Sequence, residues 1–190
     1  VKIIVDAFGG DNAPLEILKG CEMAVKELDI DILLTGQEAV IRKVAAENGI
    51  SLDRMEIAGA PDVITMDDSP KSIMKEKSQC SLAEGLRRLA AGDGDAFVSS
   101  GNSGALVFGA NMIVKRIRGV KRVAFAPVLP KDEGFFMLID GGANVECRPE
   151  MLVQFGVMGS VYMKRMMQVK EPRVGLLNIG TEKSKGTPLQ

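Results

Sequence analysis

The chain has no histidine among its 190 residues. That absence excludes Ser-His-Asp triads and histidine-ligated zinc, both of which need an imidazole titrating near neutrality. Acid–base work falls to Asp, Glu, Lys or Cys, or to the substrate itself. Cysteine is scarce: Cys21, Cys80 and Cys147 are odd in number, widely spaced and without a paired metal-ligand pattern. Free thiols in a reducing cytoplasm are expected, and no metal. No apolar run is long enough to cross a bilayer, and the opening Val1-Lys2-Ile3-Ile4-Val5-Asp6 reads as a strand, not a signal peptide. An excess of positive charge is also missing. The formal net charge of −1 excludes a general nucleic-acid binder.

What is present is a regular alternation. Lys2–Ala7 is an apolar, β-branched run that reads as a buried parallel strand, and Pro14 opens a helical pattern through Leu15, Leu18, Met23, Val25 and Leu28. The pair repeats as a strand over Asp31–Thr35 and a helix over Glu38–Glu47, closed by Asn48-Gly49. A weaker strand covers Glu56–Ala58, and the Pro- and Asp-rich stretch Gly59–Lys71 reads as an irregular connection. Further on, helices are expected at Ser81–Ala91, Ser103–Arg118 and Pro149–Met167, and strands at Ala96–Ser99, Val123–Leu129, Phe135–Asp140 and Val174–Asn178. This order predicts an α/β fold, a mostly parallel sheet with helices on both faces. The close, Gly186-Thr187-Pro188-Leu189-Gln190, reads as the start of another helix, so residues 1–190 are expected to be the amino-terminal part of a larger α/β protein.

Four turns rich in glycine and asparagine follow strand-like runs: Asp6–Pro14, Ser99–Ala105, Asp140–Val145 and Asn178–Glu182. The carboxyl ends of strands in an open α/β sheet form the ligand crevice, and glycine there lets backbone N–H groups approach an anion. Each turn also has a plainer reading. Ser103 reads as a ligand contact or as a helix cap, and Asp140 as a group orienting a lysine or as an ordinary Asp-Gly turn. Lys183 and Lys185 read as anion contacts or as solvated charges. The stretch Glu182–Gly186 does not have Walker-loop spacing, and no Gly-x-Gly-x-x-Gly occurs, so no nucleotide cofactor is expected. Lys115–Arg122 packs five cations into eight residues, either a helix C-terminus complementing its macrodipole or a docking patch for an acidic partner. Met151, Phe155, Met158, Tyr162 and Met166 recur at helical spacing as a core stripe, beside Gly156, Gly159 and Ser160, which would admit another helix.

Val5–Pro14, Ser100–Ala105, Gly142–Val145 and Gly175–Glu182 resemble, in order, the signatures of the phosphate acyltransferase family, and the likeness runs from Val1 to Gln190. The resemblance implies a fold like that of isocitrate and isopropylmalate dehydrogenases and phosphate acetyltransferases. It implies transfer of a fatty acyl group from acyl carrier protein to inorganic phosphate, giving acyl phosphate for bacterial phospholipid synthesis. It further implies a cytoplasmic homodimer, peripherally membrane-associated through a portion absent here, with no cofactor. Departures are Phe8 for methionine, Asn12 for histidine, Ser103 for threonine, and Ser78 and Cys80 for lysine and serine.

On this reading Asn102, Ser103 and Lys185 are the expected catalytic residues. Gly9, Gly10, Asp11, Gly101, Gly104, Asp140, Gly142, Asn144, Gly180 and Glu182 bind phosphate or substrate, with Asp140 and Glu182 orienting lysines. Arg116, Arg118, Lys121 and Arg122 dock the carrier. Two alternatives stand beside it: a short-chain phosphate acetyltransferase using coenzyme A, and a non-catalytic membrane-associated scaffold of lipid synthesis.

Overall fold

The computed structural model describes residues 1–182 and 185–189, arranged in two compact units, Val1–Lys115 and Arg116–Gln190. The expected helix start beyond Gly186 runs into Gln190, which like Lys183 and Ser184 lies outside the described residues.

The first unit is a four-stranded parallel sheet. Its strands are β1 (Lys2–Asp6), β2 (Asp31–Gly36), β3 (Met55–Gly59) and β4 (Ala96–Val98), in the spatial order β3-β2-β1-β4. Helices α1 (Leu15–Leu28) and α2 (Glu38–Asn48) make the first two crossovers. The third crossover holds a 3₁₀ turn at Pro70–Met74 and helix α3 (Ser81–Ala91). The apolar runs of β1 and β2 carry no polar alternation because both faces are covered. Val5, Ile32 and Leu34 pack with Leu18 and Cys21 of α1 and Ile41 and Ala45 of α2. Ile4, Leu33 and Ala58 face the other way, toward Leu89 of α3 and Phe97 of β4. Gly85 of α3 makes this second contact possible, since a Cβ there would lie 2.2 Å from the Phe97 ring.

After β4 comes α4 (Ser103–Gly109), shorter than the helix expected to Arg118. The hydrogen-bond ladder widens into a π turn over Ala110–Val114, where the Lys115 amide reaches back to the Ala110 carbonyl at 2.9 Å. Lys115 then turns to φ 72, which ends the helix.

In the second unit two expected strands form a hairpin rather than joining a parallel sheet. β5 (Val128–Pro130) and β6 (Phe135–Met137) pair antiparallel, Val128 opposite Met137. The connection between them is too short for a parallel crossover, and Gly134 at φ 88 closes it, its carbonyl accepting from the Lys131 amide at 3.1 Å. Helix α5 (Pro149–Arg165) buries Met151, Phe155 and Gly159, and Gly159 lies against Met137 of β6 and Ile139 just beyond it. The apolar stripe fades toward the carboxyl end, where Tyr162 and Met166 are exposed. Val174–Asn178, expected as a strand, is exposed chain without a ladder partner among the described residues.

Candidate functional site

Reversal of the strand order fixes where the first unit can hold a ligand. The chain steps outward from β1 to β2 to β3, then returns to place β4 on the opposite side of β1. The turns leaving β1 and β4 therefore diverge at a switch point, the usual crevice of an open α/β sheet. A cleft of about 170 Å³ lies there, lined by Phe8, Gly10 and Asp11 after β1, Gly101 and Asn102 after β4, and the segment Val63–Met66.

A buried polar cluster joins the two turns. Asp6, 2% exposed at the end of β1, accepts from the Ser99 hydroxyl at 2.8 Å and from the Phe8 amide at 3.1 Å. Ser99 Oγ in turn accepts from the Gly101 amide at 3.1 Å. Gly9 lies directly on this cluster, and a Cβ there would sit 2.7–2.9 Å from Ser99 Oγ, Asp6 Oδ2 and the Gly101 nitrogen. Only glycine lets the two turns close on one another. Gly10 follows at φ 116, a conformation that side chains resist.

Asn102 caps α4, its Oδ1 accepting from the Ala105 amide at 2.9 Å, while Nδ2 donates to the carbonyls of Thr65 at 3.0 Å and Asp68 at 3.2 Å. The capping role considered for Ser103 thus belongs to Asn102. Ser103 and Gly104 are exposed in the first turn of α4, and Gly104 leaves room for Pro70, which a Cβ would meet at 3.0 Å. The structure therefore gathers Gly10, Asp11, Gly101 and Asn102 around the cleft and leaves Gly9, packed on Asp6 and Ser99, and Ser103 and Gly104 off its lining.

Val63–Met66 escaped the sequence reading because a Pro- and Asp-rich stretch reads as a connection. The one signal was Val63-Ile64-Thr65, three β-branched residues in a row inside it. Asp68 organises this wall, accepting from the Thr65 amide at 2.7 Å and hydroxyl at 2.9 Å, and these bonds hold its carboxyl below the ordinary range.

The second unit holds two further turns. Burial would raise the Asp140 pKa, but it is outweighed by bonds from the Phe125 amide at 2.7 Å, the Asn144 side chain at 3.1 Å, the Asn144 amide at 2.7 Å and the Ala143 amide at 3.2 Å. The carboxyl is held below its usual range. Asn144 Nδ2 also donates to the Val123 carbonyl at 2.9 Å, and the Gly141 amide to the Phe125 carbonyl at 2.6 Å. Asp140 thus orders its own turn, with Gly142 at φ 119 completing it, and the lysine expected beside it is not among the partners these bonds give it. In the last turn the Lys185 amide donates to the Glu182 carbonyl at 2.9 Å. A Cβ on Gly180 would meet Glu182 Oε2 at 2.8 Å and Lys185 Cγ at 3.0 Å, so these three predicted residues share one turn.

The basic run follows the end of the π turn, with Arg116, Arg118, Lys121 and Arg122 all exposed. Arg116 donates to the Lys121 carbonyl, and Gln154 of α5 bridges the loop, accepting from the Lys121 amide at 3.0 Å and donating to the Gly119 carbonyl at 3.1 Å. None of the three cysteines is in a disulfide. Burial raises the Cys21 thiol to about 11 and also raises that of Cys80, so neither is a ready nucleophile.

Residues 1–190 match the family described as "Fatty acid synthesis protein". The chain belongs to that family. Among its relatives, the phosphate acyltransferase of Clostridium kluyveri is 43% identical over 187 residues, covering 98% of this chain and 56% of the relative. That of Acetivibrio thermocellus is 46% identical over 185 residues, covering 97% and 55%. This member of the fatty acid synthesis protein family thus spans a little over half the length of the relatives it matches. Its fold resembles a phosphotransacetylase from Streptococcus pyogenes (TM-score 0.73, 16% identity, 99% of this chain and 60% of that one). It also resembles the EutD phosphotransacetylase from Staphylococcus aureus (TM-score 0.63, 19% identity, 86% and 52%). No helix among the described residues is long and apolar enough to cross a membrane.

Proposed function

We propose that the protein carrying this chain transfers a fatty acyl group from acyl carrier protein to inorganic phosphate. The observation that carries the reading is the meeting of two glycine turns at the β1/β4 switch point, in a chain whose relatives are phosphate acyltransferases. The amides of Gly10 and Asp11, both on the cleft lining, have no hydrogen-bond partner among the described residues, which supports their donating to a substrate oxygen. Phosphate near neutral pH is already an anionic oxygen nucleophile, so attack on a thioester carbonyl needs no strong base. The carbon–oxygen bond forms, the carbon–sulfur bond breaks, and the thiolate leaves to take a proton from solvent. What the protein supplies is positioning and stabilisation of the developing oxyanion, where one donor contributes about 3–4 kcal/mol.

Lys185 is assigned to phosphate charge, as the cation of a glycine turn in a chain whose relatives are phosphate acyltransferases. Replacing it by Ala raises the phosphate KM or lowers turnover in the full-length enzyme, and unchanged kinetics removes it from the reaction. Glu182 orients that charge, and the exposed run from Arg116 to Arg122 receives the acidic carrier. Homodimer formation and peripheral membrane association belong to the same reading.

The direct test is mass detection of acyl phosphate formed from acyl carrier protein thioester and phosphate by the complete protein. A second reading is a short-chain phosphate acetyltransferase, in which coenzyme A carries the acyl group. Running both thioesters in one assay separates the two. Membrane recruitment with no phosphate-dependent transfer from either would leave a non-catalytic scaffold.

A further inference from the structure

We propose that Asn102 is a positioning residue that straps the Val63–Asp68 segment across the strand ends and so sets one wall of the substrate cleft. The side chain is 7% exposed, and both ends of its amide are committed. Oδ1 holds the Ala105 amide at the start of α4. Nδ2 faces three carbonyls, those of Thr65 at 3.0 Å, Asp68 at 3.2 Å and, at the outer limit, Met66 at 3.5 Å. One amide thereby joins the turn after β4 to a segment 34–37 residues earlier in the chain.

Other bonds on this segment are mostly its own. Asp68 folds it through Thr65, and Lys77 Nζ holds the Val63 carbonyl at 3.0 Å. Neither ties residues 65–68 to the sheet edge, whereas Asn102 does. Its position on the cleft lining, between Gly101 and the wall, makes the strap a determinant of how the cleft is shaped. The side chain that the sequence reading placed against the reacting oxygen acts instead through the segment it holds.

The kinetic part of this inference rests on the proposed acyl transfer to phosphate. N102S and N102D separate cap from strap, since both keep an oxygen that can accept from the Ala105 amide and both remove the Nδ2 group that reaches the Thr65 and Asp68 carbonyls, the short serine hydroxyl staying at the cap. Asp also turns a carboxylate toward the carbonyls. The intact protein and both variants are compared by hydrogen exchange of peptides covering 62–69, by unfolding midpoint, and by steady-state kinetics with thioester and phosphate.

Exchange over 62–69 is expected to rise about tenfold in N102S, and further in N102D, with α1, α2 and α3 protected as before. The thioester KM is expected to rise about tenfold or more while kcat falls less. Unchanged exchange over 62–69 overturns the strap. Loosened exchange with both kinetic constants unchanged overturns its role in shaping the cleft, as does uniform loss of protection with the active fraction alone reduced. If the wild-type protein makes no acyl phosphate, the functional reading fails, and the exchange comparison still decides whether Asn102 holds the wall.

Discussion

A buried carboxyl group needs hydrogen-bond partners for its oxygens, and Asp6 finds them in Ser99 and Phe8. Ser99→Ala removes one bond to Asp6 and leaves the Gly101 amide without its acceptor. The expected loss is about 1–3 kcal/mol, read from urea unfolding, the range for leaving a buried donor or acceptor unpaired. A loss under 0.5 kcal/mol would show that solvent replaces the hydroxyl. Asp140 supports a pH prediction. Its folded pKa lies below the unfolded one, so its stabilisation is complete above the unfolded value and disappears as pH falls through the folded value. Exchange protection of the 140–144 turn should therefore weaken on acidification below the ordinary carboxylate range. In Asp140→Asn that turn should be weaker already at neutral pH, with a flatter response to acid.

Gly85 decides a contact between whole elements. Alanine in the middle of α3 would favour the helix by about 0.5–1 kcal/mol, but its Cβ would overlap the Phe97 ring of β4. Overpacking of this kind typically costs about 1–3 kcal/mol, so Gly85→Ala is expected to lower the unfolding midpoint. Adding Phe97→Leu should recover part of that loss. Strictly additive effects in the double-mutant cycle would show that the ring moves freely aside. The same contact keeps α3 close to β4 and so fixes where the turn at Ser99–Asn102 begins.

At the scale of the whole molecule, net charge is nearly balanced while the stretch from Lys115 to Arg122 is strongly positive. Such a patch acts through encounter rate more than through affinity, and salt screens it. Reversing Arg116 and Arg118 to Glu should raise the KM for the carrier thioester at low salt, with the gap to wild type closing as salt is added. A coenzyme A thioester, itself negatively charged, serves as the small-substrate control. Equal carrier kinetics at low salt would make the patch a solvated loop.

Local signals along the chain account for the parallel half of the fold and for two of the turns that line the cleft. Strand periodicity, Pro14 at a helix start and Gly49 and Gly92 as left-handed caps are signals carried within a few residues, which is why β1 to β4 and α1 to α3 were legible. Gly10, Asp11, Gly101 and Asn102 were legible for the same reason, since a turn after an apolar run marks a strand end. Pairing across distance was not legible in this way. The return of β4 to β1, the antiparallel closure of β5 on β6, and the arrival of Val63–Met66 beside Asn102 depend on which segments meet after folding. Those contacts end on backbone N–H and carbonyl groups that nearly every residue presents, so no local pattern announces them.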